Sequence, residues 1–160
     1  MSVQIDNFFT NSFILKDEES VKYIKRLCEL LMEENNLTCG HLSSSAYCHM
    51  FPRSSGEEYS FIISMGGFAD GGPYLQHSSV RGFCLDRYSN VVEQNEDCEP
   101  IHIFEEIQKN LKEGTWFFVD EYSWDKTKAE TAVRFFHQDG RTKVISSYDI
   151  KKLILKEMGI

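Results

Sequence analysis

The sequence predicts an α+β fold: a mixed, largely antiparallel sheet with about three helices packed mainly on one face, in a single compact domain over 1–160. Three observations lead there. Strand-like and helix-like segments follow the order β-α-β-β-β-α-β-β-β-α, with no linker, repeat or low-complexity tract between them. Twelve Phe and seven Tyr against three Pro favour aromatic-rich sheet packing over a helical bundle. At 160 residues and 41% apolar content, the chain can bury a core without staples. Two βα-plus-hairpin halves and a last helix would also suit a ferredoxin-like split arrangement.

Residues Phe8 to Leu15 carry apolar, β-favouring side chains and read as the first strand. Asp17 is an N-cap, with Glu18 and Glu19 in the first turn where the helix dipole favours acids. Val21, Ile24, Leu27, Cys28 and Leu31 recur at three- and four-residue steps, so a helix should run to about Asn35-Asn36. Cys39 to Phe51 reads as a half-exposed strand. Tyr59–Met65 reads as another, closed by Gly66-Gly67, with a loop over Gly67–Pro73 and a further strand within Arg81–Val92. Pro100 at a first helical position and Gly114 at the end bracket a second helix, with Ile103, Phe104, Ile107 and Leu111 facing the core and Glu105, Glu106 and Lys109 facing solvent. Thr115 to Trp124 and Ala129 to His137 are strands, and Gln138-Asp139-Gly140 turns the chain into Arg141–Ile145. Ser146 and Asp149 have capping-box spacing, and Ile150, Leu153, Ile154 and Met158 make the stripe of a terminal helix.

Charge is the strongest functional signal. The chain is −8 overall, and residues 93–121 hold nine acids (Glu93, Glu96, Asp97, Glu99, Glu105, Glu106, Glu113, Asp120, Glu121) against Lys109 and Lys112, a net of −7. Carboxylates at that density repel one another, so the bias suits a surface kept for a cationic partner. The acidic balance disfavours direct binding of nucleic acid, whose phosphates need a Lys/Arg stripe. Residues 122–160 are +3, with five acids and eight bases.

Met1–Asp6 has no basic segment followed by an apolar run, and no apolar stretch approaches the ~20 residues that span a bilayer. Five irregularly spaced cysteines then read as reduced thiols, and the expected setting is cytoplasmic, without membrane contact.

The motifs that could carry chemistry are weak. The paired glycines at 66–67 and 71–72 match neither nucleotide fingerprint, and a flexible loop explains them better. That loop could instead present Phe68, Asp70 and Tyr74 as binding anchors. Cys39, His41, Cys48 and His49 form the one Cys/His cluster. Alternation would put Cys48 and His49 on opposite faces of a strand, which is poor zinc geometry. Asp120 and Glu121 are likewise adjacent on a strand and point apart. Trp116 and Trp124, eight residues apart, read as core packing rather than a stacking platform.

No catalytic residues, metal or cofactor are expected. The reading that follows is an acidic, non-enzymatic binding protein that neutralises or inhibits a basic protein partner, in the manner of an immunity protein, an antitoxin-like factor or a phage anti-defence inhibitor. Its expected contacts are Glu93, Glu96, Asp97, Glu99, Glu105, Glu106, Asp120 and Glu121, with Phe68, Asp70 and Tyr74. The alternative is a small enzyme or ligand-binding domain built on the Gly66–Pro73 loop. A homodimer through an edge strand such as Ala129–His137 is a further expectation.

Overall fold

The computed structural model describes residues 3–38, 45–53, 56–70, 79–124 and 129–160. Its elements in chain order are β1 (Val3–Thr10), β2 (Phe13–Ile14), α1 (Glu18–Thr38), β3 (Ser45–Pro52), β4 (Ser60–Asp70), β5 (Ser79–Val80), β6 (Phe83–Leu85), β7 (Val91–Gln94), β8 (Ile101–His102), α2 (Ile103–Lys109), β9 (Trp116–Trp124), β10 (Ala129–His137), β11 (Thr142–Ser146) and α3 (Ser147–Glu157).

The main sheet is antiparallel throughout and runs β11-β10-β9-β1-β4-β3, with β2 replacing β1 beside the start of β4. Its central run β9-β1-β4-β3, with α1 between β1 and β3 and α2 between β4 and β9, has the connectivity of the expected split β-α-β arrangement. β10 and β11 extend it past β9. Two small ladders, β5 with β8 and β6 with β7, lie in the connection from β4 to α2.

One cluster forms the core. α1 contributes Val21, Ile24, Leu27, Cys28, Leu30 and Leu31, α2 contributes Ile103, Phe104 and Ile107, and the sheet answers with Cys48, Ile63, Met65, Phe117, Val119 and Phe136. Asp17 caps α1 by accepting from the Ser20 N–H at 2.8 Å and its hydroxyl at 2.7 Å. These bonds, with nearby Lys16, hold the Asp17 carboxyl below its usual value. Buried Gln108 donates to the carbonyls of His137 (2.8 Å) and Arg141 (3.1 Å), tying α2 to the β10–β11 turn.

Several expectations are corrected. The first strand is broken at Asn11-Ser12, where the pairing with β4 slips by one residue (Phe8 faces Met65, Phe13 faces Phe61) and Asn11 bonds back to the Phe118 backbone. α1 runs to Thr38, beyond the two asparagines. β4 does not stop at Gly66-Gly67: Asn7 and Tyr47 flank Gly66, and Asp6 and Ala46 flank Gly67, so paired strands on both sides override the weak β-propensity of glycine. The strand sought within Arg81–Val92 is a hairpin, β6 turning into β7. The second helix is short, because residues 101–102 pair with β5 before it and Leu111 bridges Leu15 after it. Ala129–His137 is an interior strand, paired with β9 and β11; the sheet edges are β3 and β11.

Candidate interaction surfaces

The acidic stretch divides among three places. Glu93, Glu96, Asp97 and Glu99 lie on an arm built from the β6–β7 hairpin and the segment after it. In its turn Asp86 accepts from the backbone of Tyr88 (2.8 Å) and Asn90 (3.0 Å), while Asn95 accepts from Asp97 N–H (2.9 Å) and its amide bonds the Glu93 carboxylate. A disulfide between Cys84 and Cys98, Cα atoms 5.3 Å apart, closes the arm. All four acids are exposed, and among the described residues no Lys or Arg pairs with them.

The other acids behave differently. On α2, Glu105 is exposed, whereas Glu106 is tucked in, contrary to the expected solvent position: Lys109 donates to it at 2.9 Å and the Tyr23 hydroxyl bonds it. Burial first, and Glu106 second, push the Tyr23 hydroxyl far above the usual tyrosine range. On β9, Glu121 lies on the helix-covered side, 2.6 Å from Arg134 Nε, and Asp120 lies on the opposite side between its strand neighbours Phe9 and Val133. Phe68 and Asp70 are residues of β4 rather than of a loop, and Tyr74 is outside the described residues.

The opposite side of the sheet is where sequence reasoning missed most. In β9, Phe117 and Val119 point into the core, so alternation turns Trp116, Phe118, Asp120 and Tyr122 the other way. Pairing continues that face through Phe9 on β1, Phe51 on β3 and Phe135 on β10. Trp116 is 46% exposed and Phe9 48%. Trp116, Phe118 and Phe135 form a ring triangle with centroids 5.4, 5.3 and 6.1 Å apart. Core packing for Trp116 is thus corrected. The run Trp116-Phe117-Phe118 is apolar on both faces, and composition could not say which side the helices would cover. Trp124 ends β9, and its side chain lies outside the described residues.

A cleft of about 780 Å³ opens between the start of α1 and the arm, lined by Lys16, Asp17, Tyr23, Leu85, Arg87 and Tyr88 among others. Two of its polar groups are engaged with each other: the Ser20 hydroxyl donates at 2.7 Å to Asp17, which also accepts the Ser20 N–H as its helix cap. The ligand-binding alternative gains nothing from Gly66 and Gly67, which are ladder residues, and 71–78 lie outside the described residues. No group of three metal-ligating side chains comes together among the described residues.

The expectation of five reduced thiols is corrected for two of them by the Cys84–Cys98 bond. The cysteines are fourteen positions apart with a turn between, and only the hairpin brings them together. Cys28 and Cys48 are free, buried and hydrogen-bonded to each other; Cys39 and His41 fall outside the described residues. As expected, Cys48 enters the core while His49 takes the other face, stacked on Tyr47 at 5.9 Å. His102 Nδ1 lies 2.7 Å from Ser79 Oγ across the β5–β8 ladder. No helix among the described residues is long and apolar enough to cross a membrane.

No protein-family model matches the chain, and comparison with curated proteins and with solved structures gives no match either.

Proposed function

We propose that this chain is a binding protein for a basic protein partner, which it neutralises or inhibits in the manner of an immunity protein, antitoxin-like factor or anti-defence inhibitor. The observation that carries the reading is the bare aromatic face around Trp116, Phe118 and Tyr122. Monomers rarely leave contiguous apolar patches uncovered, and Trp and Tyr on a rigid scaffold dominate the energetics of interfaces. The acids play a second role. Exposed carboxylates on the β6–β7 arm, with Glu105 and Asp120, raise the rate of encounter with a cationic surface more than they raise affinity. Aromatic anchors then supply the residence time. The expected cytoplasmic setting belongs to this proposal, and the redox state of Cys84 and Cys98 in intact cells tests it, since disulfides are rare where glutathione keeps thiols reduced.

The test is affinity capture on the immobilised chain. The expected result is one basic protein, held less well as salt rises and weakened about tenfold or more by Trp116→Ala with Phe118→Ala. Charge reversal of Glu93, Glu96, Asp97 and Glu99 should slow association and leave dissociation nearly unchanged. Binding of single-stranded oligonucleotides with quenching of Trp116 would replace this reading with a base-stacking one.

A further inference from the structure

The Cys84–Cys98 bond sits where a small molecule can reach it. Both cysteines line the cleft of about 780 Å³ between the start of α1 and the arm, Cys84 half-buried and Cys98 buried. Neither belongs to the core cluster, which takes from the arm Phe83 and, at its edge, Leu85 and Val91. Little else orders the segment between the two cysteines. β6 and β7 share three residue pairs, with the register slipping between Cys84 and Leu85, and two strands alone make a marginal hairpin in water. The covalent link therefore decides whether the arm keeps its shape.

Charge around the sulfurs is one-sided. Glu93 lies directly across the ladder from Cys84, and Asp97 and Glu99 flank Cys98 in the chain. The cleft lining as a whole holds five acids and three bases. Of those bases, Lys22 already lies 3.7 Å from Glu19, and Arg87 sits over the Tyr88 ring, 4.7 Å from its centroid. An anionic thiol approaching this disulfide is repelled, whereas a cationic one is drawn in.

We propose that Cys84–Cys98 is a thiol-exchange site that takes thiols on neutral or cationic carriers and discriminates against anionic ones, and that its reduction frees the arm while the main sheet stays folded. The carrier's thiolate attacks Cys84 Sγ, the more open sulfur. The bond to Cys98 breaks, and its electron pair leaves on Cys98 Sγ, which takes a proton from water. A second carrier thiolate then attacks the carrier sulfur of the mixed disulfide, and Cys84 leaves and is protonated in turn. Two carrier thiols become one carrier disulfide, and the protein gains two electrons and two protons. Carboxylates beside Cys98 make it a poorer leaving group for every attacking thiol alike, so a comparison between carriers isolates the effect of their charge. Cys28 and Cys48 are buried in the core and take no part. The exchange needs no protein partner, so it stands or falls apart from the aromatic face.

Reduction of the native full chain, followed by mass spectrometry, tests this with cysteamine (cationic), mercaptoethanol (neutral) and mercaptoethanesulfonate (anionic). Each rate is taken relative to the same thiol's rate on hydroxyethyl disulfide, an uncharged reference. Cysteamine should be fastest and mercaptoethanesulfonate slowest, about tenfold apart at low salt, with the gap closing as salt rises. Glu93→Gln with Asp97→Asn and Glu99→Gln should remove most of that gap. In case the triple variant loses its fold, the salt dependence of the unaltered chain gives a second reading. Hydrogen exchange of the reduced chain should show protection lost between residues 84 and 98 and kept in α1 and the main sheet. Cys84→Ser with Cys98→Ser should match it. Relative rates that are equal or independent of salt, reduction only in denaturant, a chain that forms no such bond in air, or an arm equally protected in both states overturns the proposal.

Discussion

The rings of Phe117 and Phe136 stack with centroids 4.9 Å apart and planes 10° from parallel. They are directly opposed across the β9–β10 ladder, and Phe104 of α2 closes over both at 6.5 and 6.2 Å. This triad joins the central strand β9 and its extension β10 to the helix layer. Phe117 is fully buried, so Phe117→Ala removes a large side chain from a site that cannot collapse, and it should cost about 3–5 kcal/mol. Urea unfolding checks this; a loss under about 1 kcal/mol would mean that the stack is not part of the core.

Reduction of Cys84–Cys98 should destabilise the arm. The bond closes a loop with a sequence separation of 14, for which chain entropy gives about 3 kcal/mol. Urea midpoints with and without reductant should differ accordingly, and hydrogen exchange should place the first loosening in residues 83–98 rather than in the main sheet.

Acid should weaken the caps and turns before the core. Hydrogen bonds from Ser20 to Asp17, and from Ser146 to Asp149, hold both carboxyls below their usual 3.8, and Asp86 and Asp139 are lowered by backbone bonds in their turns. A depressed folded-state pKa contributes stability that is complete above the unfolded value and is lost as pH falls through the folded one. Stability should therefore be level near neutrality and decline below about pH 4. Asp149→Asn should flatten part of that decline, and a pH series of urea midpoints that shows no difference from wild type removes the capping box from the account.

Cys28 should be inert in the folded protein. Its hydrogen bond with Cys48 and, next, its burial push the thiol well above its ordinary value, so little thiolate forms at neutral pH. Mass-mapped alkylation should leave Cys28 unmodified in native buffer and label it in denaturant. Rapid native labelling would show that α1 opens from β3.

What the chain states locally, it states clearly. The Asp17 cap, the Ser146–Asp149 box, the α1 stripe and β10 with its Gly140 turn depend on residues within a few positions of one another, so a linear reading reaches them. The succession of elements admitted the split β-α-β arrangement as one possibility, and the strand pairing of the folded chain selected it.

The surfaces were less legible. Acid density was plain in the sequence, but its division among the arm, α2 and the two sides of β9 was not. Alternation says that Asp120 and Glu121 point apart; it does not say which meets Arg134 and which stands beside Phe9.

The sequence by itself determined the three helices, the main strands and their order, the caps of α1 and α3, and the opposition of neighbouring side chains on each strand. Tertiary structure alone decided that β4 continues through two glycines, that Cys84 meets Cys98, that Trp116 stays outside while Phe117 goes in, and that α3 is left bare. The reason is physical. Local choices are governed by dihedral preference and hydrogen bonds a few residues long, whereas the covered face and the strand partners are set by contacts between segments far apart in the chain, whose free energy no short window contains.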